Sequence, residues 1–430
     1  MAPLFTGFHF GFGKGPAGTT GSTAKATGGS VEDGILDPTG SYRFFVFHGE
    51  TPSPALTFTV NESLTGCELL VVGGGGGGGS GHAGGGGAGA VVYGPSVSIP
   101  AGTYPVTIGE GGAYADGPPT YNVSPQAYGG STTLGSPGEF YALGGGGGRG
   151  GGWKDGGDPA QFVNEGSPGN DGGSGGGSTG SPSNPTTYPG GEGSPNSNPT
   201  EERWGGQANQ WAQDGGQCNN GPAARGGTGG GGASCFGQGI ELGGPGKNPN
   251  PTSHPTTAGS VVGGNKDTSP TNSSPYFMSE PPFSPTGGIW PAIAADNAPG
   301  SVGGFGGHGA KLPSFPAPVI GPAFPTSNDP NIHSPTDGMK ADFEGQVGPE
   351  GYFGGGGGGG DHGSTNPGTP RGSGMGGIGG GGEGGTHNPN PTGYGTPGYF
   401  GTGSGGGGGG SQGDDGGEGA DGIVVIRIPA

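Results

Sequence analysis

Charge and apolar surface are both scarce in this chain. Only 10% of its 430 residues are charged and 26% are hydrophobic. Lysine and arginine together number 13 against 32 acids, a net charge of −19. Phosphate binding needs clustered cations, so nucleic acid is not expected as a partner. Arg149-Gly-Gly and Arg225-Gly-Gly then read as chance occurrences in a glycine-rich text. Acidity instead confers solubility and discourages self-association. No stretch approaches the ~20 apolar residues of a membrane helix, so no membrane insertion is expected. The opening residues lack a basic n-region and a continuous apolar h-region, and are read as no secretory signal. Three cysteines, Cys67, Cys218 and Cys235, form no metal spacing and leave at least one unpaired. Pairing of Cys218 with Cys235 and free thiols are both open. No segment shows a helical period, and almost no α-helix is expected.

What the chain has in abundance is glycine, 123 residues, with 45 prolines. The glycines lack the three-residue Gly-X-Y phasing of collagen. Seven of them, Gly73–Gly79, follow directly on the apolar run 67–72, and further runs lie at 84–87, 144–148, 229–232, 354–360, 379–382 and 405–410. A run without side chains loses the most backbone entropy on ordering, so order requires that its amides find partners. Polyproline-type helix has three residues per turn, about 3.1 Å rise and no internal hydrogen bonds. Glycine keeps its N–H and has no Cβ, so such runs can pack side by side and bond to several neighbours. Gly76, Gly86, Gly146, Gly231, Gly357, Gly380 and Gly407 are the candidate lattice positions. Each bond contributes about 1 kcal/mol net against about 1–2 kcal/mol of backbone entropy per residue. The lattice therefore needs many runs and a β core to template it.

Strand-like segments cluster at both ends. Residues 42–48, 56–60, 67–72, 91–93 and 103–108 are rich in β-branched and aromatic residues, with a turn at 100–102. Apolar pattern then largely disappears until Gly422-Ile-Val-Val-Ile-Arg-Ile428. These features predict one small β-sandwich, residues 41–110 plus 419–430, closed by its last strand, with 111–418 as a glycine-rich insertion. The apolar content suffices for one small core. Pro-, Asn-, Ser- and Thr-rich loops are expected at roughly 155–200, 244–300, 311–350, 361–372 and 384–398.

Phe5, Phe8, Phe10 and Phe12 form an aromatic cluster, the last three alternating on one face of an extended segment. Residues 13–40 have the composition of a flexible linker. An aromatic strand on a tether reads as an anchor into a larger assembly, 1–12, or as a strand of the chain's own core. Tyr188, Trp204, Trp211, Tyr276, Phe277, Phe283 and Trp290 lie between the glycine runs. They either cover the bundle or stand at loop tips as receptor or glycan contacts.

Catalytic and cofactor chemistry is not expected. The eight histidines are unpaired in sequence; His82 and His362 adjoin glycine runs and are read as caps of run ends rather than ligands. No phosphate-cradling loop has its Gly-Lys-Ser/Thr context. Residues 416–424 resemble a single calcium-binding nonapeptide with Asp421 as ligand, but such sites need consecutive repeats. A solvated acidic turn is the simpler reading of that segment.

Taken together, the strand followed by Val71-Val72 and polyglycine, Gly87-Ala-Gly-Ala-Val-Val-Tyr93, Pro100-Ala-Gly-Thr-Tyr-Pro-Val-Thr-Ile-Gly109 and Asp421-Gly-Ile-Val-Val-Ile-Arg427 resemble the glycine-rich domain of bacteriophage virion proteins. The opening, Met1 to Gly13, is similar to the starts of marine cyanophage structural proteins. The resemblance spans 42–430, its middle in composition only. It implies a jelly-roll or TNF-like sandwich beside a hexagonal lattice of polyglycine helices, as in tail-fibre adhesins and the extracellular region of certain receptor kinases. It also implies a virion location, a tail or fibre role in host attachment, other virion proteins bound through the N-terminal segment, and a cell-surface receptor or glycan as partner. A capsid decoration or head fibre without a receptor, and an extracellular filament or matrix protein, remain alternatives. Homo-oligomerisation is left open.

Overall fold

The computed structural model describes residues 24–49, 56–114, 127–135, 140–148, 172–179, 190–194, 209–216, 227–234, 237, 240–241, 244–245, 303–326, 339–361, 373–386, 393–410 and 414–430. The strands, in chain order, begin with β1 (Ala26–Gly28), β2 (Ile35–Leu36), β3 (Tyr42–His48), β4 (Leu56–Val60) and β5 (Leu64–Val72). They continue with β6 (Val91–Ile99), β7 (Gly102–Thr107), β8 (Thr132–Leu134), β9 (Phe140–Ala142) and β10 (Asn209–Trp211). The short pairs β11 (Ile240–Glu241) with β12 (Gly244–Pro245) and β13 (Ala310–Lys311) with β14 (Tyr352–Phe353) precede the final β15 (Ile423–Pro429). Helix is confined, among the described residues, to α1 (Ala317–Ile320), a 3₁₀ turn at Gly321–Ala323 and α2 (Met339–Val347).

Two sheets carry the fold, with orders β1-β4-β7-β8-β9 and β10-β6-β5-β15-β3-β2. Alternation along each strand sends one set of side chains inward. Phe58, Val60, Val106, Leu134 and Phe140 of the first sheet meet Phe45, Phe47, Leu69, Val71, Val92, Val424 and Ile426 of the second in one buried core. Phe58 lies 5.2 Å from Phe45 and 6.1 Å from Phe47, ring centre to ring centre. Cys67 is a free thiol inside this core, where burial pushes its pKa up to about 11. The expected all-β architecture with almost no helix is therefore present.

The last strand takes the central position. β15 pairs antiparallel with β3 along its whole length and with β5 from Ile423 to Arg427. The six-stranded sheet has a definite polarity. β5 runs into Gly73, while β6 and β15 return from Ala90 and Gly422, so the glycine-rich segments leave from one end of this sheet. At the opposite end Ala430 donates its amide to the Ser41 carbonyl at 3.0 Å, and the Lys25 ammonium donates to the Ala430 oxygen at 3.3 Å. The first described residues and the C-terminal residue thus share the pole away from the glycine runs.

Three expectations are corrected. First, residues 24–40 are not linker: β1 pairs with β4 and β2 with β3, and Gly28, Gly29, Gly34 and Gly40 take positive φ. Their glycines serve tight turns that cross from one sheet to the other; residues 13–23 lie outside the described residues. Second, the sandwich recruits β8, β9 and β10 from the segment assigned wholly to the insertion. Third, there are two cores. On the other face of the six-stranded sheet, Phe44, Val46, Leu70, Val72, Ile423 and Val425 pack against Phe315, Ile320, Phe324, Phe343, Phe353 and Phe400. Phe324 stacks on Phe343 at 4.1 Å and on His48 at 4.7 Å. The 311–350 segment, expected as loop, supplies much of this second core because its apolar residues converge only in space.

A chain ending at Gly422 is expected not to fold, since both neighbours of β15 lose their ladder and both cores lose buried side chains. Circular dichroism and limited proteolysis of that truncation check it; a native-like, protease-resistant product would refute the central role of β15.

Candidate functional site

Beyond the sheet end, the glycine runs form a bundle whose bonding follows a three-residue step. Gly73, Gly76 and Gly79 donate their amides to Ala90, Gly87 and Gly84; Gly74 and Gly77 donate to Gly130 and Ala127; Gly75 and Gly78 donate to Ala420 and Gly417. These bonds span 2.8–3.0 Å. Partner numbers fall by three at each step, so these neighbours run antiparallel, and successive amides point in three directions, as in a threefold polyglycine helix. The carbonyls face other runs: Gly74 and Gly77 accept from Gly145 and Gly148, Gly76 and Gly79 from Gly406 and Gly409, and Gly75 from Gly112. Three neighbours accept from this run and three others donate to it, which surrounds it on all sides.

The returning run 84–90 repeats the arrangement. It donates to Thr228 and Gly231, to Gly406 and Gly403, and to Gly146 and Leu143. It accepts from the first run, from Gly177 and Ser174, and from Gly357. Such saturation satisfies the rule that buried backbone groups be paired. Six of the seven candidate lattice glycines, Gly76, Gly86, Gly146, Gly231, Gly357 and Gly407, bond in this way. Gly380 does not. It sits in a turn with φ +99°, and its carbonyl accepts from the Tyr399 amide and from Ser404 Oγ. The turn reverses the chain between 373–377 and 381–386, a role that a glycine in a run of four cannot announce.

The end of the bundle away from the sandwich carries His82, a non-glycine residue with φ +50°. Its Nδ1 faces the Gly410 carbonyl at 2.9 Å and the Asp361 carbonyl at 3.3 Å, so this nitrogen carries the hydrogen and donates. It joins the ends of two glycine runs, as a cap; His362 lies outside the described residues. Asp421 stands where the bundle meets β15. Its Oδ1 accepts from the Gly111 amide at 2.7 Å, and burial pushes its pKa up, with nearby Glu110 adding to the effect against the pull of that amide. It is a half-buried backbone acceptor rather than a solvated acidic turn. Among the described residues, no group of three or more His, Cys, Asp or Glu is arranged to hold a metal ion. No helix among them is long and apolar enough to cross a membrane.

Of the candidate receptor contacts, only Trp211 falls among the described residues. It is half-buried on β10, opposite Val91, and its ring stacks on Tyr93 at 6.3 Å. It therefore finishes a sheet edge and is not a loop tip. Tyr93 packs edge-on to Phe315 at 5.9 Å and donates to Glu68 at 2.7 Å; burial and this carboxylate push its pKa up to about 12. Glu68 in turn pairs with Arg427, whose guanidinium lies 3.5 Å from the centre of the Tyr42 ring. Sequence reasoning missed this string, which becomes visible only once β3, β5, β6 and β15 are aligned. Tyr188, Trp204, Tyr276, Phe277 and Trp290, the anchor residues Phe5, Phe8, Phe10 and Phe12, and Cys218 and Cys235 lie outside the described residues.

Residues 50–261 match the family model of a glycine-rich domain. No curated protein and no solved structure matches the chain. The glycine-rich domain so matched begins before β4, and it takes in sandwich strands as well as the runs 73–79 and 84–90.

A Cβ on Gly76 would collide with the Gly146 carbonyl, and one on Gly357 with the Gly406 carbonyl, whereas one on Gly345 in α2 meets nothing within 4 Å. Gly76→Ala and Gly357→Ala are expected to cost more than about 4 kcal/mol or to prevent folding. Gly345→Ala is expected to add about 0.5–1 kcal/mol. Urea unfolding of the three variants tests this, and equal stability would exclude a close-packed lattice.

Proposed function

We propose that this chain is a non-catalytic structural protein of a bacteriophage virion, a tail or fibre component that supports host attachment. The observation that carries this reading is the polarity of the molecule. Residue 24 and Ala430 lie together at the sandwich pole, while Gly79, Gly84, Gly360 and Gly410 end their runs at the opposite one. A bundle bonded on all sides between those poles is suited to hold the far end at a fixed distance from an attachment point. A seven-residue run contributes about 22 Å to that distance at 3.1 Å per residue.

In this reading the aromatic cluster Phe5, Phe8, Phe10 and Phe12 binds other virion proteins, since the segment carrying it leads into the sandwich pole. Segments that join runs at the far end, such as the one between Thr179 and Gly190 that carries Tyr188, meet a cell-surface receptor or glycan in this reading. The resemblance of both chain ends to phage glycine-rich virion proteins supports the assignment to a phage particle.

Imaging of virions carrying a tag after Ala430 tests the proposal. Density at the tail or its fibres, close to the particle body because the C-terminus shares the anchoring pole, is the expected result. Density over the capsid would replace attachment by decoration, and absence from particles would overturn the virion assignment. Deletion of residues 270–292 should leave particles intact and slow adsorption; unchanged adsorption would remove the receptor role from Tyr276, Phe277 and Trp290.

A further inference from the structure

Residues 373–386 form a hairpin built of polyglycine rather than of β-strands. Gly384 donates to Gly374 at 2.8 Å and Gly381 to Gly377 at 3.0 Å, a three-residue step on one arm and its reverse on the other. The turn at 378–380 joins the arms, with Gly379 at φ +95° and Gly380 at φ +99°. Backbone bonds hold the arms to their neighbours: Gly374 and Gly377 donate to Gly359 and Gly356, and Gly382 and Gly385 donate to Gly405 and Gly408.

At the turn the pattern changes. The Ile378 carbonyl accepts from the Gly309 amide at 2.8 Å, but the Ile378 amide finds no carbonyl in the adjacent run. It donates instead to the Nδ1 of His308 at 3.1 Å. An imidazole nitrogen that accepts must be unprotonated, so this bond exists only for the neutral ring with its hydrogen on Nε2. His308 is itself fixed from behind, where Ser234 donates its amide and its hydroxyl to the His308 carbonyl. These bonds hold the His308 backbone in place beside the turn.

We propose that His308 is an acid-sensitive staple: protonation of Nδ1 sets a donor against the Ile378 amide and loosens the 378–380 turn at that amide, while the backbone bonds from Gly309 to Ile378 and from Gly306 to Met375 still tie the hairpin to run 303–309. Desolvation is the cause that moves this imidazole, and it pushes the pKa below the ordinary value. The groups seen to face His308 are the Ile378 amide on the hairpin, the Ser234 amide and hydroxyl, and the backbone of Gly232. None of these titrates, and no charged side chain among the described residues contributes to the shift. Two carboxylates, those of Asp421 and Asp214, also accept amides in the bundle, from Gly111 and Gly193. Neither belongs to the hairpin.

The direction of the effect follows from linkage. A histidine whose folded pKa is depressed stabilises the closed turn fully above the unfolded value of about 6.5 and loses that contribution as pH falls toward the folded value. Across that window the opening constant should rise about tenfold per pH unit.

Hydrogen exchange of the Ile378 amide in the full chain, corrected for intrinsic rate and followed from pH 7.5 to 5, reads the staple directly. Its protection should fall by about tenfold per unit below the ordinary histidine value, while Gly357 in the bundle interior stays protected. His308→Phe should lower Ile378 protection at pH 7.5 and remove the pH dependence. Constant protection of Ile378 across the range, or an unchanged pH slope in the variant, would overturn the proposal. Nitrogen-15 shifts of histidine-labelled wild-type protein give a check that needs no variant. The Nε2–H tautomer of His308 is expected at pH 7.5, and an Nδ1–H tautomer or an imidazolium there would refute it.

Discussion

The bond on which everything else rests is an amide of one glycine run donating to the carbonyl of another, repeated at every third residue. Taken singly it is weak, about 1 kcal/mol net, and each glycine ordered costs about 1–2 kcal/mol of backbone entropy. The arrangement becomes favourable only when each residue both donates and accepts, which requires a run to be surrounded. The sandwich supplies the starting geometry. In the six-stranded sheet β5 lies between β6 and β15. The run that leaves β5 bonds to the run that enters β6 and to the segment that enters β15. Neighbour relations set by the sheet thus continue into the bundle, so the sheet fixes which runs lie beside one another. This explains why so long a glycine-rich insertion is spliced into a β-domain at its strand ends.

Legibility in the sequence followed side-chain content. Where β-branched and aromatic residues alternate, as in 42–48 and 423–428, the strands could be placed from sequence within a residue or so, and the need of the last strand for partners near the first was evident. The glycine runs were legible by a different argument, that ordered polyglycine must bond to itself. The second core was not. Phe315, Phe324, Phe353 and Phe400 fall at irregular spacing, so no period marks them as one cluster. Met339, Phe343 and Val347 do follow a four-residue step on the buried side of α2. That stripe spans only two turns of a helix interrupted by Gly345, which hides it. Residues 24–40 show the opposite error, in which turn glycines with positive φ have the same composition as a tether.

At the level of individual side chains, chain position was a poor guide and bonding demand a better one. His82 could be read as a cap because it stands beside a run whose terminal carbonyls need donors. Trp211 could not be told from a loop-tip aromatic, since nothing in its neighbourhood signals pairing with Val91 at the edge of a sheet. Gly380 looked identical to its lattice neighbours, and only a turn between two antiparallel arms distinguishes it. His308 was not singled out by the sequence, where only His82 and His362 were marked beside glycine runs. Which of its nitrogens accepts depends on the Ile378 amide, 70 residues away in sequence.

A lattice of this kind creates a hazard of its own. Backbone groups that bond one run to the next could equally join two bundles side by side, as sheet edges do. Charge opposes this. Among the described residues of the runs, 73–90, 109–114, 127–131, 143–148, 172–179, 190–194, 212–216, 227–234, 303–309, 354–361, 373–386, 393–410 and 414–422, there is no lysine or arginine. The carboxylates they carry include Glu110, Glu192 and Glu383, all exposed. Exposed charge of one sign on these described runs opposes their side-by-side contact, at the modest cost of some self-repulsion within each bundle. Bulky side chains could not perform this task inside the lattice, because a Cβ there meets a carbonyl. The steric rule that demands glycine inside thus leaves exposed positions such as Glu110, Glu192 and Glu383 to carry the charge that keeps the bundles apart, whereas the buried Asp361 and the backbone-bonded Asp421 sit within the bundle.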